Sequence, residues 1–338
     1  MREFRKFLNT PLQLGNQTIK TRLILAPMSG LTHLVLRKII MEQGGCGLLY
    51  TEMCLASLVI QEDKERSLVF KWEEQELPYL VCQILVREID IAKRAAVRIQ
   101  KEGFFGLDIN MGCSVKRIVK KGMGAALLRE PDRARALVKG IKAEVDIPVI
   151  VKLRTAWKDH IEETRDLARS LEEAGADALV FHPRTAPDIR TRSPKWEYIR
   201  EIKHAVNIPV FGNGDVFHEE DMERILDTGC DGIALGRIAA ARPWIFAQTL
   251  KDLTPKGDLL FQVGIKMLEG LHQYYPPDMA SRLFKHWCRF FFANFVYGHS
   301  MLKTIGRCTT KEEIVKQLEN MLLPPPPLKK RPNLNLLR

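Results

Sequence analysis

Eight short apolar runs, spaced along the first 235 residues, constrain this chain more than any other feature. They lie at residues 23–28, 47–53, 79–85, 106–109, 148–153, 178–182, 209–212 and 232–235. Each is nearly continuous in apolar residues rather than alternating, as strands covered on both faces require. Amphipathic stretches with helical spacing separate most of them, at residues 32–42, 89–101, 131–145, 160–174, 195–206 and 219–226. Glycine stops the helix at Gly175 and again at Gly229, and proline opens the next strand at Pro148 and Pro209. Eight strand–helix repeats over about 240 residues have the size and rhythm of a (β/α)8 TIM barrel. The alternative is a doubly wound open sheet. It is weakened because the turn after the first strand lacks the G-x-G-x-x-G of a dinucleotide fold.

Beyond residue 250 the pattern changes. A polar linker at 251–257 precedes helical stretches at 259–275, 280–295 and 311–322 with no strand between them. The expected organisation is a barrel domain over residues 1–250, a small all-helical domain over 258–323, and a flexible tail over 324–338. That tail opens with four prolines and continues Leu328-Lys-Lys-Arg-Pro, which reads as extended and frayed. The segment 55–75, with its charged middle QEDKERS, reads as surface.

The net charge of +11 favours a polyanionic partner, nucleic acid before an anionic membrane surface. Seven scattered cysteines never form C-x-x-C, which fits free thiols in a reducing compartment and neither a disulfide framework nor a metal site. The first fifteen residues lack the apolar core of a signal peptide, and no apolar run approaches the ~20 residues of a membrane span. A cytoplasmic protein without membrane contact is expected, and a monomer.

In a barrel of this kind, function sits where the strands end. Here those ends carry Pro27-Met28-Ser29, Glu52, Gln83, Asn110 with Cys113, Lys152 with Arg154, His182 with Arg184, Asn213-Gly214-Asp215 and Gly236-Arg237. The last two turns offer bare backbone N–H groups beside a guanidinium, in the loops where barrels commonly bind phosphate. Lys152 lies in an apolar strand and needs a partner, because an unpaired buried ammonium is costly. A flavin ring, whose electron density grows on reduction, would supply one; a carboxylate such as Glu52 is the alternative. Gln83 would hydrogen-bond the ring or merely cap a barrel layer. Cys113 admits three readings: nucleophile, general acid, or inert core thiol. The cations Lys116, Arg117, Lys120 and Lys121 that follow it make a reactive thiol the better one.

Several strings together resemble the tRNA-dihydrouridine synthases. They are Ala26-Pro-Met-Ser-Gly-Leu-Thr, Tyr50-Thr-Glu-Met, Asp108-Ile-Asn-Met-Gly-Cys-Ser, Lys121-Gly-Met-Gly-Ala-Ala-Leu-Leu, Val151-Lys-Leu-Arg, His182-x-Arg-Thr, Gly212-Asn-Gly-Asp and Gly236-Arg-x-x-x-x-x-Pro-Trp-Ile-Phe. The likeness spans residues 14–322, and its most distinctive part is the string around Cys113. Two positions depart from the usual pattern: Ser114 stands where the family has proline, and Met111 where it often does.

The resemblance implies FMN held by Pro27, Met28, Ser29, Gln83, Lys152, His182, Asn213, Gly214, Asp215, Gly236 and Arg237. It implies hydride delivery from the reduced flavin N5 to uracil C6, with Cys113 protonating C5 as general acid. NADPH, with NADH as the alternative, would restore the flavin. Asn110 and Arg184 would lie near the substrate base, and Lys116, Arg117, Lys120 and Lys121 would meet tRNA phosphates. Arg282, Lys285 and Arg289, on one face of a tail helix, would add tRNA contacts; a plain solvated helix face, with Trp287 packed inward, competes with that reading. The rivals to tRNA uridine reduction are an FMN barrel acting on a free pyrimidine, of the dihydroorotate dehydrogenase type, and a non-catalytic RNA-binding barrel.

Overall fold

The computed structural model describes residues 2–188, 192–251, 253–255 and 258–337. Eight parallel strands form the barrel: β1 (Leu23–Leu25), β2 (Leu49–Tyr50), β3 (Leu80–Leu85), β4 (Gly106–Met111), β5 (Val149–Arg154), β6 (Ala178–His182), β7 (Val210–Asn213) and β8 (Gly232–Leu235). From β2 to β8 each pairs with the next in sequence, and β8 pairs with β1 through Ala234 and Ile24. A parallel bridge between Ile24 and Leu48 closes the ring. Intervening helices are α1 (Leu34–Gln43), α2 (Ala56–Val59), α3 (Ile89–Glu102), α4 (Pro131–Lys142), α5 (Ile161–Glu173), α6 (Glu197–Ala205), α7 (Glu219–Leu226) and α8 (Ile245–Lys251).

The period-two alternation of strands sorts the side chains into two cores. Outward residues such as Val149, Val151 and Leu153 pack under the helices, while Ile24, Val81, Ile150, Val180, Phe211 and Ala234 fill the barrel. A hairpin of Leu12–Leu14 and Gln17–Ile19 adds Leu14 and Ile19 to that interior and plugs its N-terminal end. The same alternation carries Gln83, Asp108, Asn110, Lys152, His182 and Asn213 inward at the opposite end. The register sets Gln83 beside Asp108 and Asn110 beside Lys152.

The second strand is shorter than the sequence predicts. Pairing is confined to Leu49–Tyr50 and resumes at Cys54–Leu55. Between them the Thr51 hydroxyl, in place of a carbonyl, accepts the Gln83 amide N–H at 3.0 Å, so the ladder breaks as at a bulge.

The helical region contains α9 (Leu259–Tyr274), α10 (Pro277–Phe291), α11 (Gly298–Arg307) and α12 (Lys311–Leu322). The expected helix 280–295 ends at Phe291 and continues as a 3-10 turn, Phe292–Asn294. Helix α11 escapes sequence reading because glycines at 298 and 306 flank a short amphipathic run whose apolar face is only Met301 and Ile305. Contact with the barrel is close. A Cβ at Gly270 would stand 2.6 Å from Val35 Cγ1 on α1, and Trp287 Nε1 donates to the Ala240 carbonyl at 2.9 Å. The predicted linker at 251–257 includes residues 252, 256 and 257, which lie outside the described residues.

The segment after residue 323, expected to be frayed, docks on the barrel instead. Arg331 pairs with Asp221 at 2.9 Å, Arg242 Nη2 donates to the Lys329 carbonyl, and Leu336 and Leu337 are buried. Guanidinium groups satisfy the segment's carbonyls, which is what makes a proline-rich chain cheap to order here.

His33 caps α1, its Nδ1 accepting the Leu36 N–H at 3.3 Å, and its Nε2 has no partner among the described residues. Burial first, then the nearby Arg37 charge, depresses it to about 3. A depressed folded value makes this contribution to stability complete above the ordinary histidine pKa and lost as pH falls toward the folded value. The expected loss attributable to His33 is about 1.4 kcal/mol per pH unit below about pH 6. Urea titrations of wild type and His33→Asn, a cap that does not titrate, test this; an identical acid slope in both refutes it.

Candidate active site

At the C-terminal end of the barrel the eleven predicted cofactor residues, together with Asn110 and Cys113, line one cavity of about 420 Å³. Strand alternation accounts for Gln83, Asn110, Lys152, His182 and Asn213, and the loops after β1, β7 and β8 supply the rest. His286 and Phe290 of α10 complete the wall, so the helical region contributes to the cavity itself.

A chain of hydrogen bonds runs from the barrel interior to the thiol loop. Gln83 Nε2 donates to Asp108 Oδ2, and Asn110 Nδ2 donates to Gln83 Oε1 at 2.8 Å. Asn110 Oδ1 then accepts the N–H of Gly112 at 3.1 Å and of Cys113 at 2.9 Å. Asn110 thereby fixes where Cys113 stands. The thiol is half-buried, and Ala125 N–H holds the Cys113 carbonyl at 2.9 Å. Gly124 makes this return possible: its φ is +61°, and a Cβ there would lie 2.6 Å from the Cys113 oxygen. Ser114 accepts from Arg154 Nη1 at 3.2 Å, so a side-chain bond anchors the loop at the position where the family usually has a rigid ring.

Asp108 was missed as a site residue, although its signal was available. It sits two residues before Asn110 in an apolar run, hence on the same inward face. It is the carboxylate whose charge acts on Lys152; Glu52, the partner considered from sequence, instead accepts the Gly30 N–H. Burial pushes the Asp108 carboxyl up and the Lys152 ammonium down, and each group's charge opposes the other's shift.

His182 is half-buried and ringed by Lys152, Arg154, Arg184 and Arg237; desolvation first and then those charges hold it well below its ordinary pKa. It is therefore neutral. Because a guanidinium only donates, the 3.0 Å contact from Arg184 Nη1 makes His182 Nε2 the acceptor and Nδ1 the protonated nitrogen. Asp215, in the left-handed region at φ 54°, is clasped between Arg184 and Arg237. One carboxylate facing two guanidiniums leaves this side of the cavity electropositive.

These features suit a flavin phosphate and a ring whose reduced form gains negative charge. The backbone also fits. A Cβ at Gly214 would lie 2.7 Å from the His182 ring and one at Gly236 3.3 Å from Met28 Sδ, so both glycines let the backbone lining the cavity pack closely against these side chains. Some predicted roles shift. Asn213 Nδ2 is spent on the Ala234 carbonyl at 2.7 Å, tying β7 to β8, and Arg237 Nη1 holds the Leu337 carbonyl at 2.8 Å. Arg184, expected near the substrate base, is buried behind the cavity wall, donating to Asp215 and to the Arg192 carbonyl.

The predicted cations divide. Lys116, Arg117, Lys120 and Lys121 are exposed beside Cys113. On α10, Arg282 is exposed, but Lys285 Nζ donates to the Cys308 carbonyl at 2.7 Å, beyond the end of α11, and Arg289 Nε to the Leu336 carbonyl at 2.8 Å. Arg289 and Lys285 therefore act as struts within the helical region, and Trp287 is packed inward. Spacing on a helix places them on one face but says nothing of which carbonyls that face meets.

Comparison with known proteins agrees with this geometry. Over 280 residues the chain is 33% identical to tRNA-dihydrouridine synthase B of Pseudomonas putida, covering 80% of this chain and 82% of that one. It is 36% identical over 239 residues to the probable tRNA-dihydrouridine synthase 1 of Synechocystis sp., covering 70% and 67%. The old yellow enzyme from Trypanosoma cruzi shares the fold, with a TM-score of 0.55 at 12% identity over 80% of this chain and 99% of that one. The family described as Dihydrouridine synthase (Dus) matches residues 24–317. With a thiol loop, a barrel-mouth cavity and this extent of shared sequence, the chain belongs to the dihydrouridine synthase family.

Proposed function

We propose that this protein reduces a uridine of tRNA to 5,6-dihydrouridine, with FMN as its flavin and NADPH as reductant, acting as a monomer in the cytoplasm. The observation that carries the reading is the Asn110-held Cys113 thiol at the rim of an electropositive cavity lined by all eleven residues assigned to the flavin. The flavin, when bound, supplies the hydride that saturates the uracil ring. Cys113 supplies the proton for the other ring carbon, so a hydride and a proton together add across one double bond. Asn110 holds the thiol in place through the backbone. Lys152, kept at the cavity by Asp108, balances negative charge on the flavin, and the clasp of Arg184, Asp215 and Arg237 maintains the positive wall around it.

A uridine in folded tRNA leaves its stack to enter such a cavity. Lys116, Arg117, Lys120 and Lys121 take the neighbouring phosphates, and Arg282 extends this rim along α10. Incubation with NADPH and unmodified tRNA is expected to add two hydrogens to a single uridine, read by mass spectrometry of the digested RNA. Turnover of a free pyrimidine with no change in tRNA would transfer the reading to a dihydroorotate-type reductase. A preparation that carries no flavin would sink both.

A further inference from the structure

The segment between β2 and β3, which reads as charged surface, is firmly built. Buried Lys71 donates Nζ to the carbonyls of Lys64 and Glu65 at 3.0 and 2.9 Å, and Ser67 Oγ accepts the Phe70 N–H at 2.8 Å. Despite this, Leu58, Leu68 and Val69 remain 46%, 45% and 37% exposed. Folding this segment does not require three apolar side chains in water, and their clustering in one groove marks a surface for a ligand.

The groove has a volume of about 800 Å³ and is walled on its other side by Val115, Arg117 and Lys121. It shares Ser29, Met53, Cys113 and Val115 with the barrel-mouth cavity, so the two spaces meet at the thiol. Arg66, Arg117 and Lys121 form no ion pair among the described residues. The two carboxylates that line the groove are engaged locally, Glu62 with the Ser67 hydroxyl and Asp63 with the Glu65 N–H.

We propose that this groove holds the nucleotide next to the target uridine in the RNA chain. Its base would lie on Leu58, Leu68 and Val69, and its phosphates would meet Arg66, Arg117 and Lys121. The assignment rests on the tRNA reading above and deepens it. An apolar floor with an unpaired basic rim is complementary to a base joined to its phosphate. A base in the cavity is tethered to its neighbours one phosphate away, and the groove is the space that opens beside Cys113. The segment carrying Arg66 then serves as the second wall of the substrate site, opposite the lysines that follow the thiol.

The test uses the full-length flavin-loaded protein and tRNA carrying 4-thiouridine one position before or after the target. Irradiation is expected to crosslink at least one of the two to the peptide containing Leu68 and Val69. Arg66→Glu is expected to raise the Kd for tRNA roughly tenfold, and Arg66→Ala to reduce the salt dependence of binding by about one counterion. Flavin reduction by NADPH without RNA is expected to be unchanged in both. If wild type reduces the uridine but neither label reaches this segment and Arg66→Glu binds normally, the groove assignment is wrong and the function stands. Slower reduction by NADPH in Arg66→Glu with normal tRNA binding would give the groove to the reductant and overturn the proposal. A dimer dissociated by Leu68→Glu, with tRNA binding unchanged, would give it to a second copy and do the same. Absence of any tRNA reduction by wild type takes down both readings.

Discussion

Cys113→Ala is expected to keep its flavin and the reduction of that flavin by NADPH, while losing roughly 10²–10⁴-fold in uridine reduction. The split follows from where the residue stands. None of the polar contacts along Asp108, Gln83 and Asn110 uses the Cys113 side chain; the loop is held through the Cys113 N–H and carbonyl, which alanine retains. The substitution therefore removes the proposed proton source and leaves its support intact. Pre-reduced enzyme mixed with tRNA in a single turnover isolates this step from reductant binding. Retention of most of the wild-type rate at neutral pH would end the general-acid assignment, and loss of the flavin would show that the thiol supports the cavity instead.

The largest expected stability effect lies outside the cavity, in the buried pair Arg37–Glu76. Arg37 is fully buried and bidentate on Glu76 at 2.9 and 2.7 Å, and it also donates to the carbonyls of Thr32 and Lys71 at 2.7 Å each. Glu76→Gln leaves that guanidinium without its counter-charge, at an expected cost of about 3–5 kcal/mol in urea unfolding. Replacing both partners together, Arg37→Met with Glu76→Leu, is expected to cost much less, because no uncompensated charge remains. Equal losses for the single and double variants would show that packing, and not charge, sets the penalty. The pair matters for function as well as stability. Through Lys71 it anchors the groove wall, and through Thr32, whose hydroxyl accepts the Met28 N–H at 3.1 Å, it reaches the first loop of the cavity.

Much of the site is legible from sequence because barrel strands are short and their side chains alternate. Once the eight runs are aligned, most of the polar residues at their ends point into the same mouth, and the cavity gathers all eleven residues expected to hold the flavin together with Asn110 and Cys113. Where reading failed, a third element had intervened. Arg184 looked like a substrate contact but is buried against Asp215, a residue on the next strand's loop. Lys285 and Arg289 looked like an open basic face, yet the end of α11 and the returning C-terminal segment supply carbonyls that occupy them. The tail itself looked frayed because proline and lysine form no core, and Arg237, Arg242 and Arg289 order it from outside.

By itself, then, the sequence determined the barrel, the succession of its eight strands and helices, and the place of the thiol loop at the end of the fourth. These depend on periodicity and on turn residues, which are local properties of the chain. Only the tertiary structure decided how the charges are shared: Asp108 acting on Lys152, Asp215 between two arginines, Arg37 on Glu76, and Arg66 without an ion pair among the described residues, lining the same groove as Arg117 and Lys121. Charge pairing depends on distances of a few ångströms between residues far apart in the chain, and those distances exist only after the helices have packed.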